Sequence, residues 1–315
     1  MFHSNVFSNT SCGNISQNDG SPISDETVWR FCLSAVWLVL SYAGNSMIVL
    51  VMTSRTTQPR ANTTKFLFCA LAVTDMSFTT VVFLRIRDIQ ILMFCSDHVK
   101  PQARYFTICV EVIFYTLREL STWILVMLSA ERCSSALRPF KVKRFCSLKH
   151  IKWTLLAISL VLAGMTTLFL VFEVMRTPFL TFDSLNVAIP FFLITVTTAA
   201  ISVRRLEMLF RNTPRPTHYN STSLLLSANA CFILMVMPVR IVKILLWHKI
   251  FLPGEEMVIF IDYLYYMKYV FNFYIYFATS AKFRKNALTL VGCRCEREQQ
   301  TRNEESNMSP LQIKH

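Results

Sequence analysis

Charged residues are scarce in this chain, and glycine is scarcer still. Asp, Glu, Lys and Arg make up 16% of the 315 residues, glycine occurs 6 times, and hydrophobic residues account for 53%. A soluble domain of this length needs far more polar surface to cover its core. The composition therefore argues against an ordinary soluble protein and indicates an integral membrane protein.

Acidic residues are also in short supply, at 19 against 32 Lys and Arg. This excess does not predict nucleic-acid binding, because the basic residues form short clusters between apolar runs, as in loops that face anionic lipid headgroups. The 10 cysteines include no CxxC pair, which argues against a zinc site. Isolated histidines argue against an enzyme, and the lack of internal repeats argues against a transporter, the alternative from another class.

Seven apolar segments each have about the 20 residues that a helix needs to cross a bilayer. They lie near 29–53, 66–94, 105–131, 151–174, 185–205, 222–247 and 256–279. Lys and Arg dominate the connections after the first, third and fifth segments, which predicts an extracellular N-terminus and a cytoplasmic C-terminus. We therefore predict an all-α integral membrane protein whose residues 29–280 form a seven-transmembrane helix bundle.

The two ends of the chain are polar. We predict that residues 1–28 form a disordered extracellular tail, in which the sequons at Asn9 and Asn14 are candidate glycosylation sites. This tail lacks the features of a cleaved signal peptide, so the first apolar segment is expected to target the chain. Residues 281–292 predict an amphipathic helix on the membrane surface, followed by a cytoplasmic tail at 293–315. Cys293 and Cys295 are candidates for palmitoylation, with reduced thiols as the alternative.

Polar residues inside the segments recur on single helical faces. The third segment carries Glu111, Arg118, Ser121, Leu125, Ser129 and Arg132 on one stripe, the sixth carries Phe232, Val236, Arg240 and Lys243, and the seventh carries Tyr265, Lys268, Asn272 and Tyr276. In lipid such groups face the interior of a bundle, so we expect these stripes to point inward. The second segment holds Asp75 at its middle and Arg85 and Arg87 farther along. For these two arginines and Lys243, extension to the outer interface is an equal alternative.

Several short motifs follow one another in an order that is informative. They are Gly44-Asn45, Leu71-Ala72-Val73-Thr74-Asp75, Glu131-Arg132-Cys133 with Pro139, Pro190, Phe232 six residues before Pro238, Asn272-Phe273-Tyr274-Ile275-Tyr276, and Phe283-Arg284. With them, roughly residues 29–290 resemble the rhodopsin-like G-protein-coupled receptors. The resemblance implies that an extracellular ligand activates a heterotrimeric G protein at the plasma membrane, and it adds arrestin as a further partner to expect.

The resemblance also implies roles for particular residues. Arg132, next to Glu131, would hold the inner ends of the third and sixth helices together at rest and would contact the G protein when they part. Tyr276 would rotate inward on activation. Departures from the family pattern indicate a divergent member: Val236 replaces the tryptophan of CWxP, and Thr198 stands where the fifth helix usually has a tyrosine. The usual extracellular disulfide cannot form, because no cysteine lies between the fourth and fifth helices.

Three polar positions match the family's sodium site, namely Asp75, Ser121 and Asn272. Lys268 lies one helical turn from Asn272. We hypothesise that its ammonium group reaches Asp75 and replaces the sodium ion. The alternatives are a pair with Glu119 or an outward orientation.

The ligand class follows partly by elimination. Phe114 stands where amine receptors of this family carry an aspartate, and Tyr266 stands where opsins carry the retinal lysine, so neither an amine nor retinal is expected. The remaining pocket residues are largely cationic, and arginine suits carboxylates. They are Arg85, Arg118, Arg240 and Lys243, with Glu111 toward the rim. We hypothesise a neuropeptide with an acidic side chain or C-terminal carboxylate, as for a receptor most like the FMRFamide type. Internal pairing of these cations with glutamates, and an opsin-like or orphan receptor with a non-peptide ligand, remain alternatives.

Overall fold

The computed structural model describes residues 25–54, 62–85, 100–137, 147–171, 176–210, 219–247 and 255–292. These residues are helical apart from short turns at the helix ends, which confirms the predicted all-α class. The eight helices are α1 (Asp25–Thr53), α2 (Asn62–Leu84), α3 (Lys100–Leu137), α4 (Leu148–Val171), α5 (Arg176–Phe210), α6 (Tyr219–Trp247), α7 (Glu255–Thr279) and α8 (Ala281–Leu290).

Five stretches within the described helices are long and apolar enough to cross a membrane. They are Phe31–Thr53, Thr63–Leu84, Tyr105–Ser135, Leu148–Leu168 and Leu224–Val242. In α5 a shorter apolar stretch covers Ala188–Arg204. Helix α7 has sufficient length, but tyrosines, Lys268 and Asn272 interrupt its apolar residues. The chain is thus a helical protein with several membrane-spanning candidates.

Large apolar side chains cover the outside of the packed helices. Leu160 of α4 is 65% exposed, Phe192 of α5 is 66% exposed, and Leu234 of α6 is 72% exposed. In water a continuous apolar surface of this kind promotes association, whereas hydrocarbon accommodates it without cost. The exposed surface therefore agrees with a chain embedded in a bilayer.

Helix α3 lies at the centre of the packed helices. It contacts α2, α4, α5 and α6, while α1 packs against α2, α7 and α8, and α6 packs against α5 and α7. The core is continuous from one end to the other, and Phe68, Leu125, Phe232 and Tyr269 are among its fully buried members. This arrangement makes α3 the helix along which the polar groups described below are distributed.

The Gly44-Asn45 pair lies where α1 packs closely against α7. A Cβ atom added at Gly44 would lie 2.9 Å from the Cβ of Phe273, a distance at which one of the two helices must shift. Asn45 donates from Nδ2 to the backbone carbonyl of Tyr269 at 3.0 Å. A small residue followed by an amide therefore joins α1 to α7, as is common for helices that associate in membranes.

Some helix boundaries differ from those predicted. Helix α1 begins at Asp25, before the expected boundary at position 29, and α2 ends at Leu84, although the predicted segment ran to 94. Helix α5 covers Arg176–Phe210 and is much longer than the apolar run at 185–205, because polar residues continue the helix at both of its ends. Apolar runs mark the part of a helix suited to lipid, and they do not mark where hydrogen bonding stops.

A helix is present at the predicted position 281–292, as α8. The Ser280 side chain caps its start and accepts a hydrogen bond from the backbone N–H of Phe283 at 3.3 Å. Phe283 and Ala287 are buried on one face, whereas Lys282 and Arg284 are exposed on the other. The candidate modification sites Asn9, Asn14, Cys293 and Cys295 lie outside the described residues.

Candidate functional site

A cavity of about 130 Å³ opens between α2, α3, α6 and α7. Its lining contains four of the predicted pocket residues together with three tyrosines. The lining residues are Arg85, Phe114, Tyr115, Arg118, Arg240, Tyr265 and Tyr266. Glu111 reaches this group through its contact with Arg85, and the side chain of Lys243 is not among those described. The sequence thus identified most of the residues that meet at this cavity.

Arg85, at the end of α2, points toward α3 and the cavity. Its Nε lies 2.8 Å from Oε1 of Glu111, and its guanidinium group lies 3.8 Å from the centre of the Phe114 ring. About a fifth of each charged side chain is exposed. The contact with Phe114 is a cation–π interaction, which strengthens as water is excluded. These contacts agree with the inward orientation, one of the two alternatives that the sequence left open for Arg85.

Glu119 joins two arginines beside the same cavity. Its Oε1 lies 2.6 Å from Nε of Arg118 and 3.0 Å from Nη2 of Arg240, which brings α3 and α6 together. All three side chains are less than 10% exposed. Glu119 therefore contacts a second helix as well as its own sequence neighbour. Each arginine of the pocket thus contacts a glutamate, as the internal-pairing alternative proposed.

Hydrogen bonds extend from this charged group toward the middle of α7. Arg240 donates from Nη2 to the hydroxyl of Tyr265 at 3.4 Å, and the hydroxyls of Tyr265 and Tyr269 are 2.9 Å apart. The ring of Tyr269 in turn lies 4.5 Å from the ammonium nitrogen of Lys268. Two hydrogen bonds and one cation–π contact therefore lead from the cavity to Lys268.

Asp75 is the centre of that second group. Its Oδ1 accepts a hydrogen bond from Ser121 at 2.7 Å, and its Oδ2 accepts one from Asn272 at 2.6 Å. The three side chains come from α2, α3 and α7 and are at most 4% exposed. They are the residues that matched the sodium site, and their oxygen atoms are ligands of the type that sodium accepts.

Lys268 reaches this group by a different contact from the one predicted. Its Nζ donates to the hydroxyl of Ser121 at 3.0 Å, and Ser121 in turn donates to Asp75. No direct ion pair joins Lys268 to Asp75 in this fully described group. The expectation of a direct contact is corrected to a contact through one hydroxyl, because Ser121 on α3 lies between the two charges.

At the far end of α3, Glu131 and Arg132 pack against α2. Thr64 donates to the two carboxylate oxygens of Glu131 at 2.9 and 3.0 Å, and Arg132 donates from Nη2 to the same threonine hydroxyl. Nε of Arg132 also lies 3.4 Å from Oε2 of Glu131. All three residues are buried.

Among the described residues, Arg132 does not form the expected contact with the sixth helix. Helix α6 contains no Asp or Glu, so it offers no counter-charge, and the guanidinium group turns to Glu131 and to Thr64 of α2. The sequence already indicates this outcome, because a helix without Asp or Glu cannot form a salt bridge to Arg132.

A neutral hydrogen-bonded group connects α3, α5 and α6 instead. Asn229 of α6 donates from Nδ2 to Thr198 at 2.7 Å and to Ser129 at 3.0 Å, while Ser129 donates to Oδ1 of Asn229 at 3.2 Å. We call these three residues the Asn229 group. Sequence reasoning did not single out Asn229, although it is the only amide within the apolar stretch Leu224–Val242. A lone amide in an apolar span is a signal for an interhelical hydrogen bond.

Tyr276 is fully buried near the same end. Its ring packs edge-on against Phe68 of α2 and Phe283 of α8. Its hydroxyl has no hydrogen-bond partner within the described part of the chain. A buried hydroxyl of this kind carries a desolvation penalty of about 1–3 kcal/mol. Tyr276 therefore has a physical reason to favour a second position in which that hydroxyl is bonded.

Comparison with known proteins adds no family assignment. A scan against models of protein families finds none that matches this chain, and a search of curated proteins finds no similar sequence. The functional interpretation therefore rests on the residues and their contacts.

Proposed function

We propose that this chain is a divergent rhodopsin-like G-protein-coupled receptor. In this proposal α1 to α7 form a seven-transmembrane bundle in the plasma membrane, with the N-terminus outside the cell and α8 on the cytoplasmic surface. An extracellular ligand shifts the population of two helix arrangements, and the active arrangement catalyses nucleotide exchange on a G protein. Glu131, Arg132 and Tyr276 belong to the coupling end of the molecule.

The buried position of Arg132 carries this proposal. An arginine at the end of a membrane helix can extend to water at little cost, yet Arg132 is only 4% exposed and contacts both Glu131 and Thr64. Buried ion pairs contribute little net stability, because desolvation offsets the attraction. A pair retained at such a position is better explained by a function that requires its release. Separation of α2, α3 and α6 would present the guanidinium group to a cytoplasmic partner.

The contacts between the two ends support a route for ligand control. A ligand that alters the contacts of Arg240 acts on Tyr265 and Tyr269, which border Lys268 and the Asp75 group. Val236 stands where the family usually has a tryptophan that acts as an aromatic switch. In the absence of that tryptophan, these polar contacts provide the physical connection between the cavity and the Asp75 group. It consists of groups that can exchange partners, as a two-state element requires.

The receptor proposal is tested by basal nucleotide exchange on purified G proteins. We expect Thr64→Val to raise the basal exchange rate roughly tenfold, because it removes hydrogen bonds to two charged groups that hold the resting arrangement. Arg132→Ala should abolish exchange in both the wild-type and the Thr64→Val backgrounds. Arg204→Ala, which removes an exposed arginine of α5, is the matched control and should leave the rate unchanged. Folded protein that activates no class of G protein in any of these variants would refute the proposal.

We further propose that the ligand is a peptide with a carboxylate near the cavity. The guanidinium groups of Arg85, Arg118 and Arg240 line this space. A ligand carboxylate can replace Glu111 or Glu119 as the acceptor of hydrogen bonds from these arginines. The internal pairs then keep the arginines in place before ligand binds. A cavity of about 130 Å³ admits a side chain or a chain terminus, so most of a peptide would lie outside it.

A library of peptides, each made with a free and with an amidated C-terminus, tests the ligand class. For an active peptide with a free C-terminal carboxylate, we expect Arg118→Ala and Arg240→Ala each to lower potency at least tenfold. Each variant removes a hydrogen bond from a charged donor, which contributes about 1.5–3 kcal/mol. The amidated peptide should lose much less in the same variants, which isolates the contact with the carboxylate. Unchanged potency of the acid in both variants would remove the anionic contact from the proposal.

A further inference from the structure

Asp75 and Lys268 are opposite charges enclosed in the same apolar part of the protein. Asp75 is fully buried and Lys268 is 2% exposed, and each lies near the middle of its helix. An isolated charge at such a depth costs several kcal/mol or changes its protonation. A carboxylate and an ammonium group placed together avoid that cost for each other. The first question is therefore which group neutralises Asp75.

The contacts of Asp75 identify Lys268 as that group. The carboxylate accepts hydrogen bonds from two neutral donors, Ser121 and Asn272, so neither of them supplies a positive charge. Ser121 is also the acceptor for Lys268, at 3.0 Å. Because one hydroxyl accepts from the ammonium group and donates to the carboxylate, it connects the two charges at close range. In a medium of low polarity that attraction is strong.

The remaining surroundings of Lys268 also suit a cation. The ring of Tyr269 lies 4.5 Å and the ring of Phe232 lies 5.4 Å from its Nζ, so π-faces from α7 and α6 border the ammonium group. The charged group Arg118, Glu119 and Arg240 is a separate cluster with its own contacts. Lys268 is thus positioned for Asp75 and is not a member of the arginine cluster.

We propose that Lys268 serves as a built-in counter-ion for Asp75 and closes a monovalent-cation site that its removal would open. The oxygen atoms of Asp75, Ser121 and Asn272 are hard ligands from three helices, of the kind that bind sodium. The ammonium group supplies the charge that such an ion would bring. The wild-type protein therefore needs no sodium at this position. With a neutral residue at position 268, the same oxygen ligands have room for a cation, and the negative charge of Asp75 has no other counter-charge among the described residues.

Thermal unfolding of the purified full-length chain tests this inference. Midpoints are compared in sodium chloride and in N-methylglucamine chloride at equal ionic strength, so that only a specific cation effect is measured. We expect the wild-type midpoint to be the same in both salts. Lys268→Met should unfold at a lower temperature without sodium and should gain roughly 3 °C or more when sodium reaches ten times its dissociation constant. A wild-type response equal to that of the variant, or a variant that shows no sodium response, would overturn the inference.

A second pair of variants covers the case in which Lys268→Met does not fold. Asp75→Asn leaves the ammonium group without its counter-charge, whereas Asp75→Asn with Lys268→Met removes both charges. The double variant should therefore unfold at a higher temperature than Asp75→Asn alone. An equal or lower midpoint for the double variant would overturn the inference. Unfolding requires no G protein, so a negative result here is separate from a failure of the receptor proposal.

Discussion

Replacing Glu119 with glutamine should lower the free energy of unfolding by about 3–5 kcal/mol, the largest effect expected for a single charge change in this chain. The carboxylate lies 2.6 Å from Arg118 and 3.0 Å from Arg240, and all three side chains are more than 90% buried. Glutamine keeps the shape but removes the negative charge that both guanidinium groups share. The desolvation penalty of the two guanidinium groups is then no longer offset by a negative charge, and water cannot reach them to replace the lost contact.

The exposed pair of Arg204 and Glu207 is a matched control for this experiment. Its N–O distance of 2.7 Å is close to that of the buried pair, but its side chains are 46% and 47% exposed. Glu207→Gln should therefore change stability by no more than about 0.5 kcal/mol. Denaturation of both variants in the same detergent compares a buried with an exposed carboxylate at similar N–O distances. Equal losses in the two variants would show that burial does not determine the contribution of Glu119.

Breaking the Asn229 group should produce the largest gain in basal activity. Asn229→Ala removes hydrogen bonds from α6 to both α3 and α5 at the end where Arg132 lies. At about 1 kcal/mol for each of the two contacts, and if both exist only in the resting arrangement, the active population rises roughly 30-fold. The measurement is ligand-independent nucleotide exchange by the proposed receptor.

Two neighbouring threonines of α5 separate this effect from general destabilisation. The hydroxyl of Thr198 accepts from Asn229, whereas the hydroxyl of Thr197 bonds only to carbonyls of its own helix. Thr198→Val should raise basal exchange roughly fivefold through the loss of one contact, and Thr197→Val should leave it unchanged. A basal rate for Asn229→Ala no higher than that for Thr197→Val would show that the Asn229 group does not restrain α6.

In the proposed receptor, α3 and α6 are joined by a neutral contact at one end and by a charged contact at the other. The contact between α3 and α6 near Arg132 is a neutral one, through Asn229, because α6 has no acidic residue. The contact between the same helices near the cavity is a buried ion pair, through Glu119 and Arg240. Separating the two helices near the cavity would leave buried charges without partners, whereas separating them near Arg132 would break only neutral hydrogen bonds.

Helical periodicity was sufficient to predict which faces are buried. The stripe from Arg118 to Arg132 on α3 and the stripe from Tyr265 to Tyr276 on α7 are both inside the protein. This prediction succeeded because a helix presents every third or fourth residue to one side, and because lipid excludes polar groups from the other side. The expectation that Asp75, Ser121 and Asn272 lie together came from the resemblance to the family's sodium site and not from periodicity, and the structure places them in contact.

Periodicity could not predict partners where one face offers several choices. Arg132 contacts Thr64 and not α6, and Lys268 contacts Ser121 and not Asp75 itself. Each outcome depends on side-chain reach and on differences of a few ångströms between helix axes, which a one-dimensional pattern does not contain. The Asn229 group is different, because the sequence itself contains its signal, a lone amide within an apolar span.

The sequence by itself determined that the chain is helical, apolar enough for a membrane, and polar along the inner faces of α3 and α7, because composition and periodicity are properties of single helices. Only the tertiary structure decided that Glu119 joins two arginines, that Ser121 stands between Lys268 and Asp75, and that α6 is held by an amide. The physical reason is that hydrogen bonds and ion pairs act over about 3–4 Å. Their partners are therefore selected by how the helices pack.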